Sequence, residues 1–220
     1  MRLSFLCFAL LVAASLLAQD IDVDSETLLF PPSDDTIRAA KLGYQSEKQW
    51  RMDLAYQLTD RDRAYYACAS WPREIRVAGP LLLAAMEGET ARLHSLQMPT
   101  DEEILHANGT LLLQLVFFSR RDDERATVVL KLGTHEFQPL TSLLDSAEMT
   151  PCETGWSGGQ IYTIRVQQTF TFGFAPAQIQ PDSLRNVKLE VRRPGRKHIC
   201  EMDLQRVLVS QAKRIRREFR

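Results

Sequence analysis

The chain has few of the residues that metal sites need. Its 220 residues include only four cysteines and four histidines. No two cysteines form a C-x-x-C pair, and no H-x-H or H-E-x-x-H motif is present, although these spacings are typical of zinc sites. A glycine-rich phosphate-binding loop is also lacking. The sequence therefore predicts neither a metal nor a cofactor, and it leaves four scattered histidines: His94, His106, His135 and His198.

Neither sign of charge is in excess. The chain has 27 basic and 28 acidic side chains and a formal net charge of −1. Domains that bind nucleic acid usually carry a marked positive charge, so we expect no nucleic-acid partner. Basic residues gather from Lys213 to Arg220, at the end of a predicted helix whose dipole favours cations. An anionic lipid surface or an acidic partner is the alternative interpretation of that segment.

Long apolar runs are absent after the N-terminus. The longest later run, Leu81 to Met86, is far shorter than the roughly 20 residues of a membrane-spanning helix. The first residues, in contrast, have the pattern of a secretory signal peptide: Arg2 is basic, and residues 3–17 are almost all apolar. We predict a signal peptide over residues 1–18, cleaved between Ala18 and Gln19. The mature chain is then exported, to the periplasm or the cell exterior, and has no transmembrane segment.

Three cysteines remain after export, Cys68, Cys152 and Cys200. An oxidising compartment favours a disulfide, and three cysteines allow three pairings. Cys200 falls on the inward face of a predicted strand, where a thiol serves as a small apolar side chain. The prediction therefore favours the pair Cys68–Cys152.

The longest regular pattern is the stretch from Tyr162 to Phe174. Six of its seven even positions are apolar, and none of its odd positions is. A period of two predicts a β-strand with one face buried and one face in water. Threonine, tyrosine, isoleucine, valine and phenylalanine also favour strands. We therefore expect a central strand whose three phenylalanines, Phe170, Phe172 and Phe174, enter the core.

The rest of the chain predicts about seven more short strands and three or four helices. Helices are expected over residues 34–45, 80–94, 100–108 and 204–219. Strands are expected over residues 50–58, 74–78, 110–118, 126–132, 135–138, 187–192 and 200–204, and residues 150–159 are expected to form a loop. Such short strands with tight turns indicate an α+β, mostly antiparallel protein, built as a β-sandwich whose second half is immunoglobulin-like. It divides into a mixed part (19–108) and a β part (109–220) that ends in the basic helix, or it is a single domain over 19–220.

One motif is a candidate for catalysis. Residues 155–159 match G-x-S-x-G, which in α/β-hydrolases exposes a nucleophilic serine at a turn from strand to helix. Here the motif precedes a strand, and Trp156 stands where chymotrypsin-like proteases have aspartate before the serine. Neither His94 nor His106 has the neighbours of a catalytic histidine. Ser157 is thus the only candidate nucleophile, and a loop before a strand is the simpler interpretation.

These observations favour an exported, non-catalytic module that binds another exported protein or a component of the cell envelope. The alternatives are an extracytoplasmic hydrolase that uses Ser157, and a carrier of a small apolar ligand. The carrier would line its cleft with Phe170, Phe172 and other aromatic residues, although such residues more often form plain core.

Overall fold

A computed structural model describes residues 25–58, 72–107, 110–119, 126–156, 159–175, 177, 179, 181–193 and 195–219. The predicted signal peptide, Cys68 and Ser157 lie outside these residues. Within them the chain is α+β. Its helices are α1 (Ser25–Leu29), α2 (Ser33–Gln45), α3 (Pro80–Leu93), α4 (Asp101–Ala107) and α5 (Leu204–Glu218), and a short 3-10 helix spans Pro181–Asn186.

The strands form two antiparallel sheets. The first contains β1 (Asp53–Gln57), β2 (Pro72–Ala78), β3 (Leu111–Ser119), β6 (Thr141–Trp156) and β7 (Gly159–Phe174), in the order β1-β2-β3-β7-β6. The second contains β4 (Thr127–Leu132), β5 (His135–Phe137), β8 (Val187–Arg193) and β9 (Arg196–Met202), in the order β5-β4-β8-β9. The mostly antiparallel α+β class is therefore confirmed.

The stretch from Tyr162 to Phe174 forms a strand as its period predicts, and β7 is paired on both sides, with β3 and β6. Phe170, Phe172 and Phe174 are buried, and Phe172 is only 1% exposed. The prediction is wrong at the other end of the strand, where Ile164 is 63% exposed. The alternation fixes which face a side chain occupies, but not how far along the strand that face is covered.

Both sheets contribute to one hydrophobic cluster. It contains Leu113 and Phe172 from the first sheet, Leu130 and Leu189 from the second, and Leu208 from α5. Strand β2, which precedes residue 108, pairs with β3, which follows it. The two predicted parts of the chain thus share one sheet, and the number of domains stays a prediction.

The helices α2 and α3 pack closely through small residues. A Cβ atom built on Gly43 would lie 1.9 Å from the carbonyl oxygen of Ala85, and one built on Gly88 would lie 2.0 Å from that of Ala40. Glycine has a low helix propensity, yet both glycines lie inside helices here. Their missing side chains let the two backbones touch.

Helix α5 is joined to the first sheet by a buried side chain. The amide oxygen of Gln211 accepts a hydrogen bond from the Gly79 backbone N–H at 3.0 Å, and its amide nitrogen donates to the Val77 carbonyl at 2.8 Å. The helix begins after Asp203, whose carboxylate accepts from the Arg206 N–H and so caps the first turn. These contacts place α5 against the junction between β2 and α3.

The interpretation of residues 150–159 as a loop is wrong for residues 150–156. They belong to β6, which begins at Thr141 and pairs with β7 along its length. The loop interpretation rests on the glycine and serine content of the segment, and Pro151 does not rule out a strand. It is tolerated in edge strands, where its missing N–H faces away from the sheet.

Candidate functional site: the open edge of the β6–β7 hairpin

Strands β6 and β7 form a hairpin of two 16-residue strands. Their register runs from Thr141 opposite Gly173 to Trp156 opposite Gly159. Strand β6 is the outermost strand of its sheet, and no described strand pairs with its outer side. An edge strand presents a row of backbone N–H and C=O groups to which another chain can add.

The hairpin extends an apolar face beyond the covered core. Phe117 and Phe170 stack with their ring centroids 5.5 Å apart, and Gln168, the next residue of β7 on this face, is still buried. Further along the same face, Met149 lies opposite Val166, and Pro151 lies opposite Ile164. Met149 is 77% exposed. The face that forms the core at one end of the hairpin is therefore open to solvent at the other.

Exposed apolar side chains concentrate on this hairpin. Leu143, on the opposite face of β6, is 64% exposed, and Leu140 lies just before the strand. Five of the eleven large apolar residues that are exposed in the described part of the chain belong here, namely Leu140, Leu143, Leu144, Met149 and Ile164. Scattered exposed apolar residues are ordinary, but a concentration of them indicates an interaction surface.

A β-bulge at Asp145 interrupts the inner half of β6, between Leu144 and Ser146. The Asp145 carboxylate accepts hydrogen bonds from the Thr171 hydroxyl at 2.5 Å and from the Gln114 side-chain amide at 3.2 Å. Its charge is thus held over its own sheet. The segment from Ser146 to Pro151 remains regular and uncovered at the edge.

Cys152 is buried near the outer end of β6 and is disulfide-bonded. Its partner lies outside the described residues. Cys200 is not that partner, because it is a free thiol in the core. Burial raises the pKa of the Cys200 thiol to about 12, and a hydrogen bond from Tyr56 opposes the shift in part. Cys200 is therefore an inert core residue, as predicted, while the Cys68–Cys152 pairing stays a prediction.

A buried arginine lies where the covered part of the core ends. The Arg193 guanidinium lies 4.3 Å from the centroid of the Phe117 ring and donates a hydrogen bond to the Phe118 carbonyl oxygen at 3.3 Å. Gln168 on β7 is fully buried beside this level. Polar side chains thus close the core before the exposed half of the hairpin begins.

In contrast to the hairpin, the outer face of the second sheet is occupied mainly by ion pairs. The Glu190 carboxylate on β8 is fully buried beneath three cations, Lys131 at 3.0 Å, Lys197 at 2.7 Å and Arg192. Lys197 makes the largest contribution and Lys131 and Arg192 add to it, so that the pKa of Glu190 is lowered to about 2 although desolvation opposes the shift. The depressed pKa is explained by this structural ion-pair cluster, which fills the face with its own side chains.

The basic end of α5 is largely engaged within the protein. Arg214 makes two hydrogen bonds of 3.0 Å with the Asp53 carboxylate, and Arg216 makes one of 2.9 Å with Asp35. Arg206 and Arg217 line an open depression of about 530 Å³ on the solvent side of the helix. The segment thus stabilises the packing of α5 on β1 and α2.

The other candidate residues that the structure describes do not converge on one site. Ser157 and the His106 side chain lie outside the described residues. Among the residues that are described, no group of three or more His, Cys, Asp or Glu side chains converges as a metal site would require. The Nε2 of His198 lies 3.5 Å from the Tyr56 hydroxyl. Phe170 and Phe172 stack on each other at 6.1 Å, as core residues do.

Sequence reasoning missed the edge of β6. Its apolar residues face solvent and change parity at the Asp145 bulge, so they give no clean period. The only available signal was the run of strand-compatible residues before β7, which is long enough to form a second strand that pairs with β7 along its length.

Comparison of the chain with protein-family models, with curated proteins and with solved structures finds no match. None of the described helices has both the length and the apolar character needed to cross a membrane. The geometry of the hairpin is therefore the main guide to function.

Proposed function

We propose that the protein is an exported, non-catalytic interaction module with an immunoglobulin-like β-sandwich, and that it binds an extended segment of a protein partner along the edge of β6. The hairpin edge supports the binding role, and the strand order supports the architecture. Export rests on the signal-peptide pattern of residues 1–18.

The strand order has the pattern of immunoglobulin folds. Those folds place strands A, B, E and D in one sheet and C, F and G in the other, with C′ beside C in the variable type. Here β2, β3, β7 and β6 take the places of A, B, E and D, and β5, β4, β8 and β9 take those of C′, C, F and G. Each of these neighbouring pairs is antiparallel, as the fold requires.

The observation that carries the binding role is the length of uncovered edge on β6. Exported and other natural proteins usually keep edge strands short, charged or covered. Strand β6 is long and carries exposed apolar side chains on both faces, such as Leu143 and Met149. Addition of a strand at such an edge combines main-chain hydrogen bonds with side-chain contacts that select the partner.

Photo-crosslinking in the exporting cell tests this surface. A photoreactive amino acid at Met149 is expected to trap a protein partner, which mass spectrometry then identifies. The matched control is Ile199, which is 45% exposed on β9, an edge strand of the other sheet. Equal adducts from both positions, or none from Met149, would contradict the proposed binding edge.

A fluorophosphonate probe tests the non-catalytic part of the proposal. We expect no labelling of the exported protein. Labelling that disappears in Ser157→Ala would show an activated serine and would replace this proposal with the hydrolase. Sequencing of the mature N-terminus tests export itself, with Gln19 as the expected first residue.

A further inference from the structure

We propose that the partner of the β6 edge is a second copy of this chain, related by a twofold axis that passes through Met149. This inference rests on the proposed function and names its partner. The two β6 strands would pair antiparallel and join the two five-stranded sheets into one continuous sheet. Closed twofold dimers are the commonest assemblies of soluble proteins, because one self-complementary patch suffices.

The regular segment of β6 is compatible with such symmetry. A twofold axis normal to the sheet keeps each face on its own side, so residues at equal distances from Met149 lie opposite one another. Met149 then faces Met149 of the second copy, and Ala147 faces Pro151 of the second copy. These three side chains lie on the apolar face that the hairpin leaves uncovered. The dimer would thus bury the most exposed apolar residue of the edge against itself.

Charge and the bulge disfavour the two registers on the Asp145 side of Met149. An axis through Glu148 would place two carboxylates directly opposite each other, which is destabilising. An axis through Ala147 would bring the Asp145 bulge into the ladder, where pairing is interrupted. With the axis at Met149, Glu148 faces the neutral Thr150 of the second copy.

A basic side chain lies next to Thr150, on the neighbouring strand of the same sheet. Arg165 on β7 is the partner of Thr150 in the hairpin, so Glu148 of one copy points towards Arg165 of the second copy, and the reverse holds by symmetry. Further out, this axis brings Asp145 opposite Glu153 of the second copy, but the Asp145 carboxylate is already engaged with Thr171 and Gln114 of its own sheet. Between Ala147 and Pro151 the edge opposes no like charges directly.

The backbone also allows the pairing. Proline in an edge strand directs its nitrogen away from the sheet. Because the direction of the backbone N–H alternates along a strand, the N–H groups of the residues two and four positions before Pro151 also point outward. The outward N–H groups of the regular segment therefore belong to Ala147 and Met149. Met149 can then exchange two hydrogen bonds with its symmetry mate. Ala147 can donate to the Pro151 carbonyl of the second copy, and only the bond that would start at the proline nitrogen is lost.

Sedimentation velocity on the purified exported protein tests the dimer. We expect the wild-type protein to approach twice the monomer mass as its concentration rises. Met149→Lys places two ammonium groups at the axis and should weaken association by about tenfold or more. Ile199→Lys, on the other sheet, should leave association unchanged. Thermal unfolding of both variants checks that neither has lost its fold.

A disulfide trap tests the position of the axis. Met149→Cys should form an intermolecular disulfide under mild oxidation, because the axis sets the two thiols opposite each other. Ile199→Cys should not. The background is low, since Cys152 is already bonded and Cys200 is buried.

The outcomes separate the dimer from the binding edge. A protein that stays monomeric at all concentrations, or a dimer that Met149→Lys leaves intact, overturns the second copy as the partner. In either case the crosslinking experiment still decides the proposed function, because a Met149 adduct with a different protein would retain the edge as a binding surface. A Met149 adduct with the chain itself, together with the trapped disulfide, supports the dimer.

Discussion

Each of the two sheets ends in a hairpin, and the two hairpins differ in strand length and in the side chains on their surfaces. The β8–β9 hairpin has strands of seven residues, and ion pairs around Glu190 occupy its outer face. The β6–β7 hairpin has strands of 16 residues, and apolar side chains such as Met149 remain in solvent on it. The outer face of one hairpin is thus occupied mainly by its own charges, whereas the other hairpin leaves apolar side chains exposed beside an edge strand.

Under the proposed function, the same antiparallel ladder serves stability at one end of its strands and recognition at the other. In β7, Phe172 is buried in the core, whereas Ile164 on the same face is exposed to solvent. Four experiments test this contrast, from the largest expected effect to the smallest.

The two halves of β7 should respond oppositely to truncation. Phe172→Ala removes a buried ring and should lower the free energy of unfolding by about 3–5 kcal/mol. Ile164→Ala, on the same strand and face, should change it by about 0.5 kcal/mol at most, because Ile164 is solvated. Denaturant unfolding followed by tryptophan fluorescence measures both. Similar losses in the two variants would mean that the outer half of the hairpin is also covered.

The disulfide at Cys152 should stabilise the hairpin. Cys152→Ser is expected to lower the free energy of unfolding by about 2–4 kcal/mol, since the cross-link restricts the unfolded chain. A reductant should destabilise the wild-type protein by a similar amount and leave the variant unchanged. A digest of the unreduced protein, analysed by mass spectrometry, should yield a peptide that links Cys152 to Cys68. A link from Cys152 to any other cysteine would refute the predicted pairing.

The charge cluster on β8 should make the protein acid-sensitive in a defined range. The pKa of Glu190 is lowered from 4.5 to about 2, so its contribution to stability is complete above pH 4.5 and is lost as the pH falls towards 2. Glu190→Gln should lower the midpoint of thermal unfolding at neutral pH and flatten its fall over this range. Glu201→Gln, whose side chain is 72% exposed beside Lys188, is the matched control and should have little effect. Equal acid sensitivity of Glu190→Gln and the wild type would place the sensitive group elsewhere.

The bulge on β6 should contribute least. Asp145→Ala removes the acceptor of the Thr171 and Gln114 hydrogen bonds and should cost about 1 kcal/mol in the free energy of unfolding. Glu148→Ala should be nearly neutral for the folded monomer, so it serves as the control. A larger loss of unfolding free energy in Glu148→Ala than in Asp145→Ala, measured on a monomer, would show that Glu148 rather than Asp145 orders this edge.

Much of the fold could be predicted because burial leaves a periodic pattern. The alternation from Tyr162 to Phe174 predicted β7, and the helical spacing from Leu204 to Ile215 predicted α5. The helix expected from residue 100 forms as α4, and at its start the Thr100 hydroxyl accepts from the Glu103 N–H while the Glu103 carboxylate accepts from the Thr100 N–H. Each of these patterns reflects a local contact or a covered face.

The candidate site could not be predicted, because its side chains are exposed and therefore leave no periodic pattern. An edge strand in solvent needs no alternation, and the bulge at Asp145 reverses the parity of Leu144 relative to Ala147. Nor could the period of β7 show that Ile164 is uncovered, because the extent of the second sheet is a property of the assembled fold. Likewise, Gly43 and Gly88 have a low helix propensity, and only their positions against the neighbouring helix explain why they lie inside α2 and α3.

The contact between α2 and α3 has a mechanical consequence. Each helix meets the other at a glycine, and the two meeting points lie three residues apart along α2 and about one turn apart along α3. Sliding or rolling either helix would drive a peptide group into its neighbour, so the pair should move only as one rigid body. Hydrogen–deuterium exchange would then report a shared opening rate for the amides of both helices, whereas separate rates would show that they loosen independently.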